Sequence, residues 1–192
     1  MSDHSAKTAI ILHGTGSSPN ENWFPWLESE LVNMGLVVWT PQLPNTNKPN
    51  PQEVIPFITQ NCPFQISENT ILVGHSSGAV EILHLLPTLS TRIRLSILVG
   101  SFKDNEFLKY EANNELFSIP LDLDSCQAHC QEFIYIHSDN DPFCPLDHAQ
   151  YLMSKTGGSL IILPGQKHFS LSTMGASYSK FPKLLEIIKT KI

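Results

Sequence analysis

Gly74-His75-Ser76-Ser77-Gly78 stands between two apolar segments, Ile71-Leu72-Val73 before it and Ala79-Val80 after it. Strand, sharp turn and helix in that order are what a nucleophile elbow requires: a serine on the point of a strained turn, with its Oγ held clear of the chain. Gly74 and Gly78 suit such a turn, because the arriving strand and the departing helix come close and leave little room for a Cβ. The plainer reading is a helix entry whose serine caps the first turn. The catalytic reading needs a base to take the Ser76 proton and an acid to orient the base, in the chain order serine, acid, histidine.

In an open parallel sheet, active-site residues sit in loops beyond the carboxyl ends of the strands. The apolar run 133–137 is followed by Ser138-Asp139-Asn140-Asp141-Pro142-Phe143-Cys144-Pro145, which offers two carboxylates. Asp141 is favoured because it opens Asp-Pro-Phe-Cys-Pro, a turn stiffened by proline, whereas Asp139 lies nearer the strand end at an ordinary turn position. The run 160–163 is followed by Pro164-Gly165-Gln166-Lys167-His168-Phe169, which makes His168 the expected base. His84 and His148 fall on helical segments, His137 within a strand and His129 in an irregular stretch, so each reads as structural.

An acyl-transfer site also needs an oxyanion hole, built from the N–H after the nucleophile and one from the loop after the first strand, each donor worth about 2.7–4 kcal/mol. Ser77 supplies the first. In His13-Gly14-Thr15-Gly16-Ser17-Ser18 the second is Thr15, with Gly16 a close alternative, and His13 is expected to pack or hydrogen-bond beneath the loop. That loop lacks the third glycine of a dinucleotide fingerprint and the Gly-Lys-Ser/Thr of a phosphate-binding loop, so nucleotide binding is not expected. Cys126, His129 and Cys130 lack a fourth ligand at recognisable spacing, which argues against a metal site, and no cofactor is expected. Cys144 has no glycine elbow and reads as a small buried apolar residue rather than a nucleophile.

The elements that must position these residues follow from the apolar pattern. Short apolar runs at 8–12, 36–40, 71–73, 95–99, 133–137 and 160–163 alternate with helical stretches at 22–34, 52–60, 79–86, 148–154 and 179–191. The runs are continuous rather than alternating in polarity, as strands covered on both faces are, so the expectation is an α/β fold with about six mostly parallel strands. Trp23 and Trp26 flank the first loop and read as packing residues more than as a substrate lining. Residues 102–130 show no clear periodicity and are the one stretch long enough to be a lid. That stretch carries Asp104, Glu106, Glu111, Glu115, Asp122 and Asp124 against Lys103 and Lys109, which makes a poor greasy roof. A shallow site for small, soluble substrates is therefore expected, the alternative being a deeper slot lined by Trp23, Trp26, Phe102 and Phe107.

The 192 residues are 41% hydrophobic, enough for one domain over 1–192 that buries roughly 70% of its unfolded surface. A formal net charge of −6, with 12 Lys and Arg in no long cluster, argues against nucleic acid and anionic membrane as partners. Residues 1–6 are polar, and no later run approaches the roughly 18 apolar residues of a membrane span, so a cytoplasmic location is expected. Cys62, Cys126, Cys130 and Cys144 are too few and scattered for a disulfide framework.

Taken together, these residues resemble the small serine hydrolases related to retinoblastoma-binding protein nine, a compact branch of the α/β-hydrolases. The resemblance is carried by the glycine-containing loop after the first strand, the Trp23 to Leu31 helix, Pro44-Asn45, Gly-His-Ser-Ser-Gly-Ala, Asp-Pro-Phe-x-Pro and Gly-x-x-His-Phe. It implies a compact α/β-hydrolase fold with helices on both faces of the sheet and little or no lid. It also implies cleavage of small esters, thioesters or amides through an acyl-enzyme, with Ser76 as nucleophile, Asp141 as acid and His168 as base. The mammalian member is named for a pocket-protein interaction through a Leu-x-Cys-x-Glu segment. The comparable Gln60-Asn61-Cys62-Pro63-Phe64 keeps only the cysteine, so that protein partner is not expected here. The competing function is a non-catalytic binding module on the same fold, since fold alone does not establish chemistry. Retention of a plausible residue for every triad position weighs against it.

Overall fold

A computed structural model describes residues 6–105 and 115–192. The six apolar runs are strands: β1 Thr8–Leu12, β2 Val37–Trp39, β3 Thr70–His75, β4 Ile93–Val99, β5 Cys130–His137 and β6 Ser159–Ile162. They form one sheet in the order β2-β1-β3-β4-β5-β6, with every neighbouring pair parallel. The chain moves outward from β1 to β2 and then returns past β1 to β3, so the order reverses between β1 and β3. Crevices at such a reversal, outside the carboxyl ends of the strands, are where open α/β sheets bind ligands.

Successive side chains of a strand point to opposite faces, and the two cores follow that rule. Ala9, Ile11, Ile71, Val73, Ile97 and Ile134 face one side, against α1 (Phe24–Asn33) and α7 (Pro182–Lys189). Ile10, Leu12, Leu72, Leu98, Phe133 and Tyr135 face the other, against α2 (Pro51–Asn61), α3 (Ser77–Leu85), α4 (Leu123–His129) and α5 (Leu146–Thr156). Helices therefore cover both faces, as continuous apolar strands require. Local chemistry sets several boundaries. Pro25 enters α1 in its first turn, and Gly35, at φ 87°, follows its C-cap Met34. Asn50 caps α2 by accepting from the Gln52 N–H at 2.9 Å.

Some elements differ from the sequence pattern. The stretch expected to be irregular from 102 to 130 contains α4 and the first residue of β5. Asp122 caps α4 through the Ser125 N–H at 3.0 Å, and Cys126 anchors it, fully buried with its Sγ donating to the Leu83 carbonyl. A seven-residue helix with one fully buried side chain shows little periodicity to find. Glu106, Phe107, Lys109 and Glu111, part of the expected lid, lie outside the described residues. The closing helix is shorter than expected, because the short α6 (Leu171–Met174) and a 3-10 turn at Gly175–Ser179 precede it. All four cysteines are free, and no helix among the described residues is long and apolar enough to cross a membrane.

Candidate active site

β3 runs into Ser76, and α3 begins at the next residue. Ser76 sits at φ 56°, ψ −123°, a backbone conformation that costs a non-glycine residue on the order of 1–3 kcal/mol. Its N–H donates to the Val99 carbonyl of β4 at 2.9 Å, and its carbonyl accepts from Ala79 N–H at 3.0 Å, so both sides of the turn are fastened. The Ser76 side chain makes no capping bond to α3, which removes the plainer reading of this motif. A Cβ on Gly74 would lie 2.6 Å from Ala79 Cα, confirming the close passage of strand and helix. Gly78 answers to a different neighbour: a Cβ there would stand 2.4 Å from the Leu12 carbonyl oxygen and 2.5 Å from that of His13, at the end of β1.

The loops after β5 and β6 bring Asp141 and His168 together. His168 Nδ1 donates to Asp141 Oδ2 at 2.7 Å, and the two side chains are only 8% and 1% exposed. Asp141 Oδ1 accepts from the Phe143 and Cys144 N–H groups at 2.9 and 3.0 Å, so both carboxylate oxygens are occupied. Burial pushes the Asp141 pKa up, but the His168 hydrogen bond and charge, together with the two backbone donors, outweigh it and hold the group below the ordinary carboxylate value. Asp139 lies elsewhere: its Oδ1 accepts from Gly165 N–H at 2.8 Å. With Nδ1 on Asp141, His168 Nε2 is the nitrogen left for chemistry, and both His168 and Ser76 line the same cavity.

Sequence reasoning missed the residues that hold His168 from behind. His75 Nε2 donates to the His168 carbonyl at 2.8 Å, with the two rings 4.8 Å apart. Burial, reinforced by the His168 charge, lowers the His75 pKa to about 3, so it serves as a neutral donor. Trp23 is fully buried, and its Nε1 donates to the Phe169 carbonyl at 3.0 Å. The packing reading of Trp23 and Trp26 therefore holds, since both belong to the core against α1 and neither lines the cavity. Nothing in the motif itself signals these roles, because each bond goes to a backbone carbonyl far away in sequence.

The loop after β1 reaches the elbow through Thr15, whose Oγ1 donates to Ser77 Oγ at 2.9 Å. Gly16 N–H donates to the Thr46 carbonyl at 2.8 Å. Ser77 opens α3, where backbone N–H groups and the helix dipole favour negative charge. His13 lies beneath the loop as expected, with Nδ1 on the Gly14 carbonyl at 3.0 Å and Nε2 accepting from Leu43 N–H at 3.1 Å. The cavity has a volume of about 580 Å³ and combines apolar Phe102, Phe143 and Leu171 with polar Ser17, Glu21 and Asn22.

The remaining histidines among the described residues, and the thiols of Cys126 and Cys130, have structural partners. His84, His129 and His137 each bond a backbone carbonyl, and His148 Nδ1 accepts from Lys103 N–H. Cys130 Sγ donates to the Glu132 carbonyl, and burial raises the Cys126 and Cys130 pKa values to about 12, so neither is a ready ligand. Among the described residues, Asp141, Cys144 and His168 bring possible metal-ligand atoms within 4.8 Å of one another. Two of those atoms already share the short hydrogen bond, and burial drives the Cys144 pKa far above that of an ordinary thiol, so the set suits proton transfer better than metal binding.

Known proteins share this fold and much of this chain's length. The chain is 23% identical over 187 residues to serine hydrolase RBBP9 of Rattus norvegicus, covering 96% of this chain and 95% of the relative. It is 34% identical to YdeN of Bacillus subtilis over 98 residues, half of each chain. The crystal structure of that ydeN gene product superposes with a TM-score of 0.87 at 22% identity, covering 97% of this chain and 98% of the other. Est1E of Butyrivibrio proteoclasticus, solved with ferulic acid bound, superposes with a TM-score of 0.69 at 13% identity, covering 97% and 91%. These neighbours are α/β-hydrolases, and the fold is theirs. The family model described as serine hydrolase matches residues 9–190, nearly the whole chain, and the protein belongs to that family.

Proposed function

We propose that the protein cleaves small esters, thioesters or amides through an acyl-enzyme formed on Ser76. The observation that carries this reading is the 2.7 Å bond between His168 Nδ1 and Asp141 Oδ2 beside the cavity that also holds Ser76. Asp141 fixes the tautomer with the proton on Nδ1, so Nε2 takes the Ser76 proton as Oγ attacks the substrate carbonyl. The N–H groups of Ser77 and Thr15 receive the developing oxyanion. His168 then returns its proton to the leaving group, activates a water, and the acyl group departs as a carboxylic acid while Ser76 recovers its proton.

Small substrates are favoured because two apolar cavity walls, Phe143 and Leu171, are themselves 42% and 38% exposed. A long acyl chain would keep much of its length in water and forgo the roughly 0.8 kcal/mol available per buried methylene. We read the chain as a single domain, active in the cytoplasm on uncharged or weakly charged small molecules and needing no cofactor.

A fluorophosphonate probe tests the reading directly. The wild type should be labelled on Ser76, and Ser76→Ala should abolish labelling and lower kcat by about 10⁴-fold or more. Undiminished labelling of Ser76→Ala sinks the assignment, and an unlabelled, inert wild type points to a binding module instead. In a series of p-nitrophenyl esters, kcat/KM should level off before octanoate. A steady rise beyond it would mean a deeper channel.

A further inference from the structure

The three residues before Asp141 clamp the three residues before His168. Asp139 Oδ1 accepts from Gly165 N–H at 2.8 Å, Ser138 Oγ from Gln166 N–H at 2.9 Å, and Asn140 Oδ1 from Lys167 N–H at 2.8 Å. The Ser138 hydroxyl, 1% exposed, donates its own proton to Asn140 Oδ1 at 2.8 Å. Asn140 Oδ1 therefore receives two hydrogen bonds, one that fixes its own side chain and one that holds Lys167. The next residue in each segment is Asp141 and His168, the pair joined at 2.7 Å.

The clamped backbone is one that a free loop would not keep. Gly165, Lys167 and Phe169 all have positive φ, 73°, 49° and 52°, so His168 stands between two left-handed non-glycine residues. Such conformations persist only where the surroundings over-determine them. A displacement of the imidazole by a fraction of an ångström is enough to spoil proton transfer, because reactivity depends on near-attack geometry.

We propose that Asn140 is a positioning residue for His168: with Ser138 it fixes the base loop on the acid loop and so sets where the imidazole stands relative to Asp141 and Ser76. This rests on the reading of Ser76, Asp141 and His168 as the catalytic set. Asn140 is the informative member because its side-chain oxygen is one residue from each partner of the pair, while Asp139 acts at the far end of the clamp.

The test compares Asn140→Ala, Asn140→Asp and His168→Ala by steady-state kinetics on p-nitrophenyl acetate, with active sites counted by fluorophosphonate titration and melting temperature measured in parallel. Asn140→Ala should lower kcat about 10- to 100-fold with KM within about twofold and the melting temperature nearly unchanged. Asn140→Asp keeps an oxygen that accepts both bonds and should return kcat to within about fivefold of wild type. The proposal is overturned if Asn140→Ala keeps kcat within twofold while His168→Ala abolishes turnover. It is equally overturned if Asn140→Asp, folded and titratable, falls more than tenfold below wild type in kcat, a result that can be read even where Asn140→Ala does not fold. Full activity in His168→Ala would instead remove the catalytic reading and the proposal with it.

Discussion

The elbow and the base loop each hold one side chain at a fixed point, and they do it by opposite means. At the elbow, backbone is pressed against backbone: Gly74 against Ala79, Gly78 against the carbonyls of Leu12 and His13, and Gly14 against the His75 carbonyl. Around His168 the backbone is carried by side chains from other segments: Asn140 on Lys167 N–H, His75 on the His168 carbonyl and Trp23 on the Phe169 carbonyl. Close steric contact leaves one permitted residue type and therefore a mark in the sequence. A hydrogen bond to a backbone group can come from many side chains and leaves none.

The sharpest way to break this comparison is Gly78→Ala. Its Cβ would meet two main-chain carbonyl oxygens at 2.4 and 2.5 Å, and neither can turn aside without disrupting the end of β1. The expected cost is more than about 4 kcal/mol, read as loss of soluble folded protein or a collapse of the denaturant midpoint. A folded, active Gly78→Ala would show that the elbow is not set by steric contact.

The two regions also differ in the sign of their pH dependence. Glu81, on α3 and fully buried, has both carboxylate oxygens without a hydrogen-bond partner among the described residues, and burial raises its pKa to about 8. Between its ordinary value near 4.5 and about 8 the folded state holds a proton that the unfolded state has released, so stability falls as pH rises through that window. Asp141 works the other way, because its lowered pKa contributes stability that is lost as pH falls. Glu81→Gln should therefore be more stable than wild type by up to about 4 kcal/mol at pH 8, the gain shrinking towards pH 4.5. Denaturant midpoints across that range check it, and a pH-independent difference would contradict it.

Gly100→Ala probes the base region without removing a hydrogen bond. Gly100 follows β4 at φ 60°, and a Cβ there would stand 3.2 Å from His168 Cε1, 3.3 Å from Nδ1 and 3.6 Å from Asp141 Oδ2. The left-handed backbone costs about 1–2 kcal/mol, and the imidazole must shift by a few tenths of an ångström. We expect kcat to fall at least tenfold with a modest loss of stability. An unchanged kcat would mean that the base tolerates more movement than the clamped loop implies.

What was legible in the sequence divides along the same line. The elbow, the Asp141–His168 pair and the six strands stand out because each follows from a local requirement: glycine where no Cβ fits, apolar residues where both faces are covered, and a His or Asp directly after a strand. Asp141 was separable from Asp139 by the stiffness of Asp-Pro-Phe-Cys-Pro, and in the structure it is Asp141 that meets His168. The bond from Gly16 N–H to the Thr46 carbonyl was not legible, because its partner lies thirty residues away. Helix α4 was hidden for another reason: its cap and its single buried cysteine are too slight to register as a period.

The smallest effect expected is that of Trp23→Phe, and it separates packing from hydrogen bonding within one residue. Trp23 packs edge-on against Phe24, His75 and Phe181, with ring centroids 4.6, 6.0 and 5.7 Å away, and phenylalanine keeps part of that contact. What it loses is the Nε1 donor to the Phe169 carbonyl, a buried acceptor at a residue with φ 52°. Loss of the bond should cost about 1–2 kcal/mol in stability, with a further contribution from the smaller ring. If the base loop is held by several side chains acting together, the remaining bonds from Asn140 and His75 keep His168 in place, and kcat should fall by only about two- to fivefold. A Trp23→Phe, Asn140→Ala double variant sharpens the point, because loss of two supports of one loop should lower kcat by more than the product of the single effects. Simple multiplication of the two would mean that each bond acts on its own and that the loop is not a cooperative unit.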